Sequence, residues 1–108
     1  IFSDTPFGQN NIPTCLARNR SNVAKCVVTR SAAYGNRGHA RDLLVAEQRN
    51  LPIFDFTAAL CPGTKCAPII DGRVVFHDHH HLTTTMSKYL ATPLGAALSQ
   101  VIANLPPR

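Results

Sequence analysis

The sequence predicts an α/β fold, because helical and strand patterns alternate along the chain. Residues 38–50 have the apolar spacing of an amphipathic helix, and an apolar strand at 51–56 follows at once, as in an alternating α/β unit. The dipeptide Asp71-Gly72 separates two short apolar runs and predicts a hairpin. A long helix is predicted at 82–104, where apolar residues recur at steps of three and four.

The N-terminal part predicts short elements joined by loops. Residues 1–3 are apolar and predict the end of a strand, whereas 7–14 contain Gly, Asn and Pro and predict a loop. Residues 15–26 are polar and basic and are expected to hold a short helix. Val27-Val28 predicts a brief extended segment.

The middle of the chain predicts one helix with a defined face and end. Ala40, Leu43 and Leu44 form its apolar stripe, and Asn50 is a helix stop. After the following strand, residues 57–60 predict a single helical turn. Asp55, near the end of that strand, is interpreted as a helix cap or a turn former.

Two signals refine the C-terminal elements. Gly72 accepts a positive φ, so Asp71-Gly72 predicts a type I′ turn between apolar runs at 67–70 and 73–76. Pro93 removes a backbone donor and crowds the preceding turn, so it is expected to kink or split the last helix. The Leu and Ala stripe of that helix is interpreted as core packing.

Length and charge exclude several classes of protein. A chain of 108 residues has room for one modest domain. Its 11 basic and 6 acidic residues give a net charge of +5, but the arginines are scattered and aromatic residues are few, which argues against a nucleic-acid interface. No apolar run is long enough for a membrane span. The chain begins with Ile1, so a processed or excised piece of a longer protein is expected.

The four cysteines form two local pairs in the sequence. Local pairing would join Cys15 to Cys26 and Cys61 to Cys66, and it is the preferred one of the three pairings that four cysteines allow. Neither pair has the spacing of a zinc knuckle, so two disulfides are preferred over a metal site or free thiols. Disulfides persist in oxidising compartments, so an extracytoplasmic location is expected.

Residues 77–81, with the sequence His-Asp-His-His-His, are the most informative segment and allow three interpretations. Four imidazoles and a carboxylate are metal ligands, although adjacent side chains point in different directions. In the second interpretation the segment is an exposed polar loop, to which His77, His79 and His80 belong; His39 is interpreted in the same way.

The third interpretation uses Asp78 and His81 alone. Their three-residue spacing at the start of a helix places both side chains on one face. A carboxylate beside an imidazole holds one tautomer and stabilises the imidazolium, so His81 would act as general base toward a serine hydroxyl. Asp78 and His81 are therefore the candidate catalytic residues.

Short motifs in a fixed order give the chain a family resemblance. The run from Ser3 to Leu98 resembles the carboxyl-terminal part of the extracytoplasmic SGNH (GDSL-like) domain fused to bacterial acyltransferase-3 membrane proteins. The pieces that carry the resemblance are Ser3-Asp4-Thr5-Pro6, Pro13-Thr14-Cys15-Leu16, Cys26, Ile53-Phe54-Asp55, Leu60-Cys61, Cys66-Ala67-Pro68, Asp71-Gly72-Arg73, Phe76-His77-Asp78 and His81-Leu82-Thr83.

The resemblance implies a three-layer, flavodoxin-like SGNH sandwich of which residues 1–108 are only the C-terminal portion. It maps the family's Asp-x-x-His block onto Asp78 and His81, as orienter and base of a Ser-His-Asp triad. No Gly-Asp-Ser or Gly-x-Asn-Asp motif occurs in the chain, so the nucleophile-bearing N-terminal portion is expected to be missing and to act as a partner.

The function implied is O-acyl transfer, with acetyl as the expected group, to cell-envelope glycans or glycolipids, or ester hydrolysis on them. The resemblance implies a membrane acyltransferase domain in the parent chain and a glycan or glycolipid acceptor. No cofactor or metal is expected. The chain alone is expected to be inactive. Two alternatives are a non-catalytic, disulfide-stapled binding domain of the secreted type and a metal-binding module built on the histidines.

Overall fold

The computed structural model describes residues 1–107 and has mixed helix and strand content, in agreement with an α/β fold. The helices are α1 (Ile12–Arg18), α2 (Arg30–Ala33), α3 (Gly38–Arg49), α4 (Thr57–Leu60) and α5 (Thr84–Ala103), with a 3₁₀ turn at Val23–Cys26. The strands are β1 (Val28–Thr29), β2 (Lys65–Cys66), β3 (Ile69–Ile70) and β4 (Arg73–Val74). The short helix α2 was not predicted.

The sheets are small, and all named strands pair antiparallel. β1 pairs with β2, and β3 pairs with β4 in the predicted hairpin. Of the strand predicted at 51–56, only Phe54 pairs, through a parallel bridge to Phe2. The bridge is held by bonds from the Ser3 amide to the Phe54 carbonyl at 3.0 Å and from the Phe54 amide to the Ile1 carbonyl at 2.8 Å. The predicted N-terminal strand end therefore has a partner, although the ladder stops there.

Helix α3 has the predicted bounds, but its apolar stripe is not buried. The helix ends at Asn50, which adopts a left-handed conformation with φ of 50° and donates its amide to the carbonyls of Ala46 and Glu47. Leu43 and Leu44 of the predicted apolar stripe are 37% and 51% exposed, and only Ala46 of this helix is buried. Within residues 1–107, this face of the helix is therefore only partly covered.

The hairpin turn is as predicted. Asp71 and Gly72 have φ values of 48° and 73°, the positive values that a type I′ turn requires. The Tyr89 hydroxyl of α5 donates to the Asp71 carboxylate at 2.5 Å, and the Arg73 guanidinium lies 4.3 Å from the Tyr89 ring centroid. These contacts hold the hairpin against the first half of α5.

Helix α5 continues through Pro93 without splitting, contrary to one expectation. Thr83 caps its start by accepting a bond from the Met86 amide at 3.0 Å. Pro93 removes the donor for the Tyr89 carbonyl, but Tyr89 is exposed, so water can bond to that carbonyl. Before Pro93 the helix buries Met86 and Leu90; after it the stripe emerges into solvent and leaves Ile102 exposed.

The core lies where the hairpin, the first half of α5 and the two helices α1 and α4 meet. Both disulfides occur in the local pairing. Cys61–Cys66 lies inside the core, and Cys15–Cys26 joins α1 to the 3₁₀ turn. Within residues 1–107, no helix combines the length and apolarity that crossing a membrane requires.

The contrast between the two halves of α5 is testable by truncating one residue in each. Met86 is 0% exposed and Ile102 is 62% exposed. Met86→Ala should lower the free energy of unfolding by about 2–5 kcal/mol, because it leaves a core cavity. Ile102→Ala, the control in the same helix, should change it by less than about 0.5 kcal/mol. Urea unfolding followed by circular dichroism measures both, and equal losses would contradict this packing.

Candidate active site

The segment 77–81 forms a tight turn between β4 and α5. An antiparallel bridge between Phe76 and Leu82 closes the turn, and the His77 amide donates to the His81 carbonyl at 3.0 Å. The Thr83 amide donates to the Val75 carbonyl one step further out. Backbone pairing therefore fixes the ends of the turn that carries both predicted catalytic residues.

Asp78 uses its two carboxylate oxygens differently. Oδ1 accepts the backbone amides of His80 at 2.9 Å and His81 at 2.8 Å, while Oδ2 lies 2.6 Å from Nδ1 of the His81 ring. The two backbone bonds, with the His81 ring, hold the pKa of Asp78 well below its ordinary value. The carboxylate is therefore ionised and fixed in orientation at neutral pH.

The contact with Asp78 determines the tautomer of His81. A carboxylate only accepts hydrogen bonds, so Nδ1 of His81 carries the proton and Nε2 keeps its lone pair in the neutral ring. The His81 side chain is 60% exposed, and within residues 1–107 its Nε2 has no hydrogen-bond partner. An oriented imidazole with a free Nε2 can take a proton from a hydroxyl group.

The rings of His77 and His80 both lie against the His81 ring, but they differ in exposure. The His77 ring stacks on that of His81, with centroids 5.6 Å apart, and is exposed. The His80 ring stacks on Phe7 at 4.6 Å and has a buried Nδ1 that has no hydrogen-bond partner in residues 1–107. The prediction that His80 is simply an exposed loop residue was therefore wrong, whereas His79 is exposed as predicted.

The histidine cluster also satisfies one requirement of a metal site. Ligand atoms of His77, Asp78 and His81 lie within 4.8 Å of one another, and two imidazoles with a carboxylate suit zinc or another transition metal. Nδ1 of His81 and Oδ2 of Asp78, however, already bond to each other. An ion using both atoms would break the Asp78–His81 contact, so metal binding here and the base role exclude each other.

The N-terminal segment supports the turn from outside. The Thr5 hydroxyl donates to the His80 carbonyl at 3.2 Å, and the Gly8 amide donates to the His79 carbonyl. A Cβ at Gly8 would meet the His79 carbonyl oxygen and the Ile12 side chain, both at 3.0 Å, so this close approach favours glycine. These contacts span more than seventy residues, and no local pattern in the sequence indicates them.

Comparison with known proteins assigns the family. The family model described as "SGNH domain (fused to AT3 domains)" matches residues 1–95. The chain belongs to this family. The match confirms the resemblance at the level of the SGNH domain and fits an α/β fold with an esterase or acyltransferase type of role. Searches of the curated proteins and of the solved structures found no match.

This SGNH domain contains a second polar cluster, which the sequence did not indicate. The Asp55 carboxylate accepts hydrogen bonds from the Thr57 hydroxyl at 2.6 Å, the Thr57 amide at 3.0 Å and the Ser3 hydroxyl at 3.2 Å. His39 Nε2 lies 3.1 Å from the same oxygen, and the His39 ring is only 13% exposed. His39 was therefore wrongly grouped with exposed loop residues, while the bond from the Thr57 amide agrees with Asp55 as a turn former.

The positions of the protons in this cluster follow from the Asp55 carboxylate, because a carboxylate only accepts hydrogen bonds. Thr57 donates its single hydroxyl proton over the short distance to Asp55, so it accepts from the Tyr34 hydroxyl, 3.0 Å away. His39 Nε2 also lies 3.0 Å from the Thr57 oxygen, and it must donate to the two acceptors it faces. Because Nε2 carries its proton toward these two acceptors, His39 is not a base for the Thr57 hydroxyl.

The Asp55 bonds predict a pH-dependent stability. Desolvation raises the pKa of Asp55, but the bonds from Thr57 and His39 outweigh it and lower the pKa from 3.8 to about 2. Because the folded form binds the proton less well, the stabilisation is complete above pH 4 to 5 and is lost as the pH falls to about 2. Partial exposure limits its size to about 1–2 kcal/mol.

Asp55→Asn removes this titration and should lower the free energy of unfolding by about 1–2 kcal/mol at pH 7. The difference from the wild type should shrink as the pH falls from 4 to 2. Glu47→Gln, which neutralises an exposed carboxylate of α3, is the control. Urea unfolding over this pH range measures the difference; a loss that is unchanged at pH 2 would contradict the assigned role of the Asp55 charge.

Proposed function

We propose that this chain is part of an extracytoplasmic SGNH domain that acts on cell-envelope glycans or glycolipids. The domain either transfers an O-acyl group, with acetyl as the expected group, to a hydroxyl of these molecules or hydrolyses their esters. In this proposal His81 and Asp78 are the base and the orienter of a Ser-His-Asp triad. The observation that carries it is the 2.6 Å contact between His81 Nδ1 and Asp78 Oδ2, which leaves Nε2 free.

The proposed reaction proceeds through an acyl-enzyme. A serine hydroxyl attacks the acyl carbonyl carbon while its proton passes to Nε2 of His81, and the leaving oxygen then takes that proton as its bond to the acyl carbon breaks. An acceptor hydroxyl next attacks the acyl-serine, giving its proton to Nε2, and the serine oxygen recovers it on departure. Asp78 stays ionised throughout and stabilises the imidazolium. Water in place of the acceptor gives hydrolysis.

The serine in this scheme comes from outside the described residues. Among residues 1–107, no serine hydroxyl bonds to the His81 ring, and Ser3 bonds to Asp55 instead. The sequence contains no Gly-Asp-Ser motif. We therefore assign the nucleophile and the oxyanion hole to an N-terminal portion of the same domain in the parent chain.

Exposed apolar surface supports a completing portion of this kind. Phe2 and Leu51, beside the parallel bridge, are exposed, and a groove of about 470 Å³ runs between that bridge and the second half of α5. Apolar residues line it, among them Ile53, Phe54 and Val101. Further parallel strands and helices packed here would bury these residues and extend the bridge into the central sheet of a three-layer sandwich.

The remaining parts of the proposal are the source of the acyl group and the compartment, and both concern the parent chain. Fusion to AT3 domains is part of the family description and fits a membrane acyltransferase domain that delivers the acyl group. The two disulfides fit an oxidising compartment. The reaction as written needs only side chains and substrates.

The chain by itself should have no esterase activity of its own. With p-nitrophenyl acetate, its rate should equal that of free imidazole at the same histidine concentration, since His81 has no serine to activate. His81→Ala should lower the rate only by the background hydrolysis that one exposed imidazole contributes. A rate well above the imidazole background that His81→Ala abolishes would show that the chain carries its own nucleophile.

In the parent protein the same residues should be essential. His81→Ala should lower kcat for ester cleavage by at least ~10⁴-fold and Asp78→Asn by ~10³–10⁴-fold, as for other members of acyl-transfer triads. His79→Ala removes an exposed neighbour without touching the pair and should stay within about twofold of the wild type. Steady-state kinetics with an acetylated glycan tests this, and equal losses in all three variants would contradict the assigned roles.

A further inference from the structure

A second cavity, of about 560 Å³, opens beside the Asp55 cluster. It lies between α2, α3, the start of α4 and the Cys61–Cys66 loop, and its volume is within the usual range for small-molecule sites of about 300–1,000 Å³. The residues that line it are Arg30, Ser31, Tyr34, His39, Thr57, Gly63 and Thr64. Neither Asp78 nor His81 is among them, so this cavity is separate from the proposed base.

Arg30 gives the cavity a cation that is held in place. Its backbone amide donates to the Thr64 carbonyl at 2.8 Å, and its Nη1 donates to the Gly63 carbonyl at 2.9 Å. Within residues 1–107, Arg30 forms no ion pair. The guanidinium therefore keeps its full charge and most of its N–H donors, a group suited to a carboxylate.

The other walls are aromatic rings and hydroxyl groups. The rings of Tyr34 and His39 lie 4.3 Å apart between centroids, and both are fixed through bonds to Thr57. Fixed rings offer flat apolar faces, and the hydroxyls of Ser31 and Thr64 both donate and accept. The one carboxylate of the cluster, Asp55, is already engaged by its own neighbours and does not line the cavity.

We propose that this cavity binds an acidic saccharide unit, a pyranose ring that bears a carboxylate. The Arg30 guanidinium would pair with the carboxylate, the rings of Tyr34 and His39 would contact the sugar ring, and the hydroxyls of Ser31 and Thr64 would bond to its hydroxyl groups. A neutral sugar would leave Arg30 without a counter-ion, and a small carboxylate alone would leave the ring faces uncovered.

The position of the cavity also suits part of an acyl acceptor, a role that rests on the proposed function. Ser3 bonds to Asp55, which lies next to the cavity, and Thr5 bonds to the His80 carbonyl of the turn, so one short segment runs between the two regions. In that role the sugar beside Tyr34 would be one unit of the acceptor glycan, and another unit would carry the hydroxyl that is acylated. Binding itself does not depend on that role.

The test is a titration of the 108-residue chain followed by ¹H–¹⁵N correlation spectra. The probes are methyl β-D-glucuronide, methyl β-D-glucoside and sodium acetate. The glucuronide should shift the amides of Arg30, Tyr34 and Thr64 saturably, and the other two probes should bind at least about tenfold more weakly. Arg30→Gln should weaken glucuronide binding about tenfold, since it removes a charge-assisted bond.

Two controls separate this proposal from the proposed function and from nonspecific charge. Arg20→Gln makes the same change at an exposed arginine outside the cavity and should leave binding intact. His81→Ala should also bind normally, so a failure of the base assignment leaves this result unaffected. Absence of saturable glucuronide shifts in a chain with dispersed spectra, equal binding of the glucoside, or equal binding of acetate would each overturn the acidic-saccharide site.

Discussion

The site depends on one carboxylate whose two oxygens have different partners. Oδ1 of Asp78 is held by two backbone amides, and this leaves Oδ2 in a fixed position against Nδ1 of His81. The bridge between Phe76 and Leu82 makes this geometry available, because it brings the two ends of the turn together. Without it, a three-residue spacing on a free loop would not orient the ring. The proton on Nδ1 and the free Nε2 follow from this arrangement, and the proposed base role rests on them.

The N-terminal segment connects this turn to the rest of the molecule. Within a few residues it pairs with Phe54, bonds through Ser3 to the Asp55 cluster and reaches the turn through Thr5 and Gly8. The turn and the Asp55 cluster beside the second cavity therefore contact the same N-terminal segment, although the residues that line the cavity come from helices far apart in the sequence. The same region leaves apolar residues such as Phe2 and Leu51 exposed, which supports the proposal that a further portion of the domain packs here and supplies the nucleophile.

Features set by local chemistry could be predicted from the sequence, and features set by distant contacts could not. The bounds of α3, the positive φ values at Asp71 and Gly72 and the local disulfide pairs follow from short-range signals. The burial of α3 could not be predicted, because it depends on what packs against Leu44. At the candidate site, the Asp-x-x-His spacing was informative, whereas the bond between His39 and Asp55 joins separate elements. The only sequence feature that could have indicated this bond was Asp55 at the end of a predicted strand, two residues before the hydroxyl of Thr57.

The tautomer of His81 is the most direct test of the account, since a base that accepts a serine proton must keep Nε2 unprotonated. Long-range ¹H–¹⁵N spectra of the neutral imidazole distinguish the two ring nitrogens. We predict that the proton resides on Nδ1 of His81 in the wild type and that Asp78→Asn shifts the population toward the Nε2–H form. A His81 ring that is mainly protonated on Nε2, or one whose tautomer does not respond to Asp78→Asn, would contradict the proposal that Asp78 orients His81 as a base.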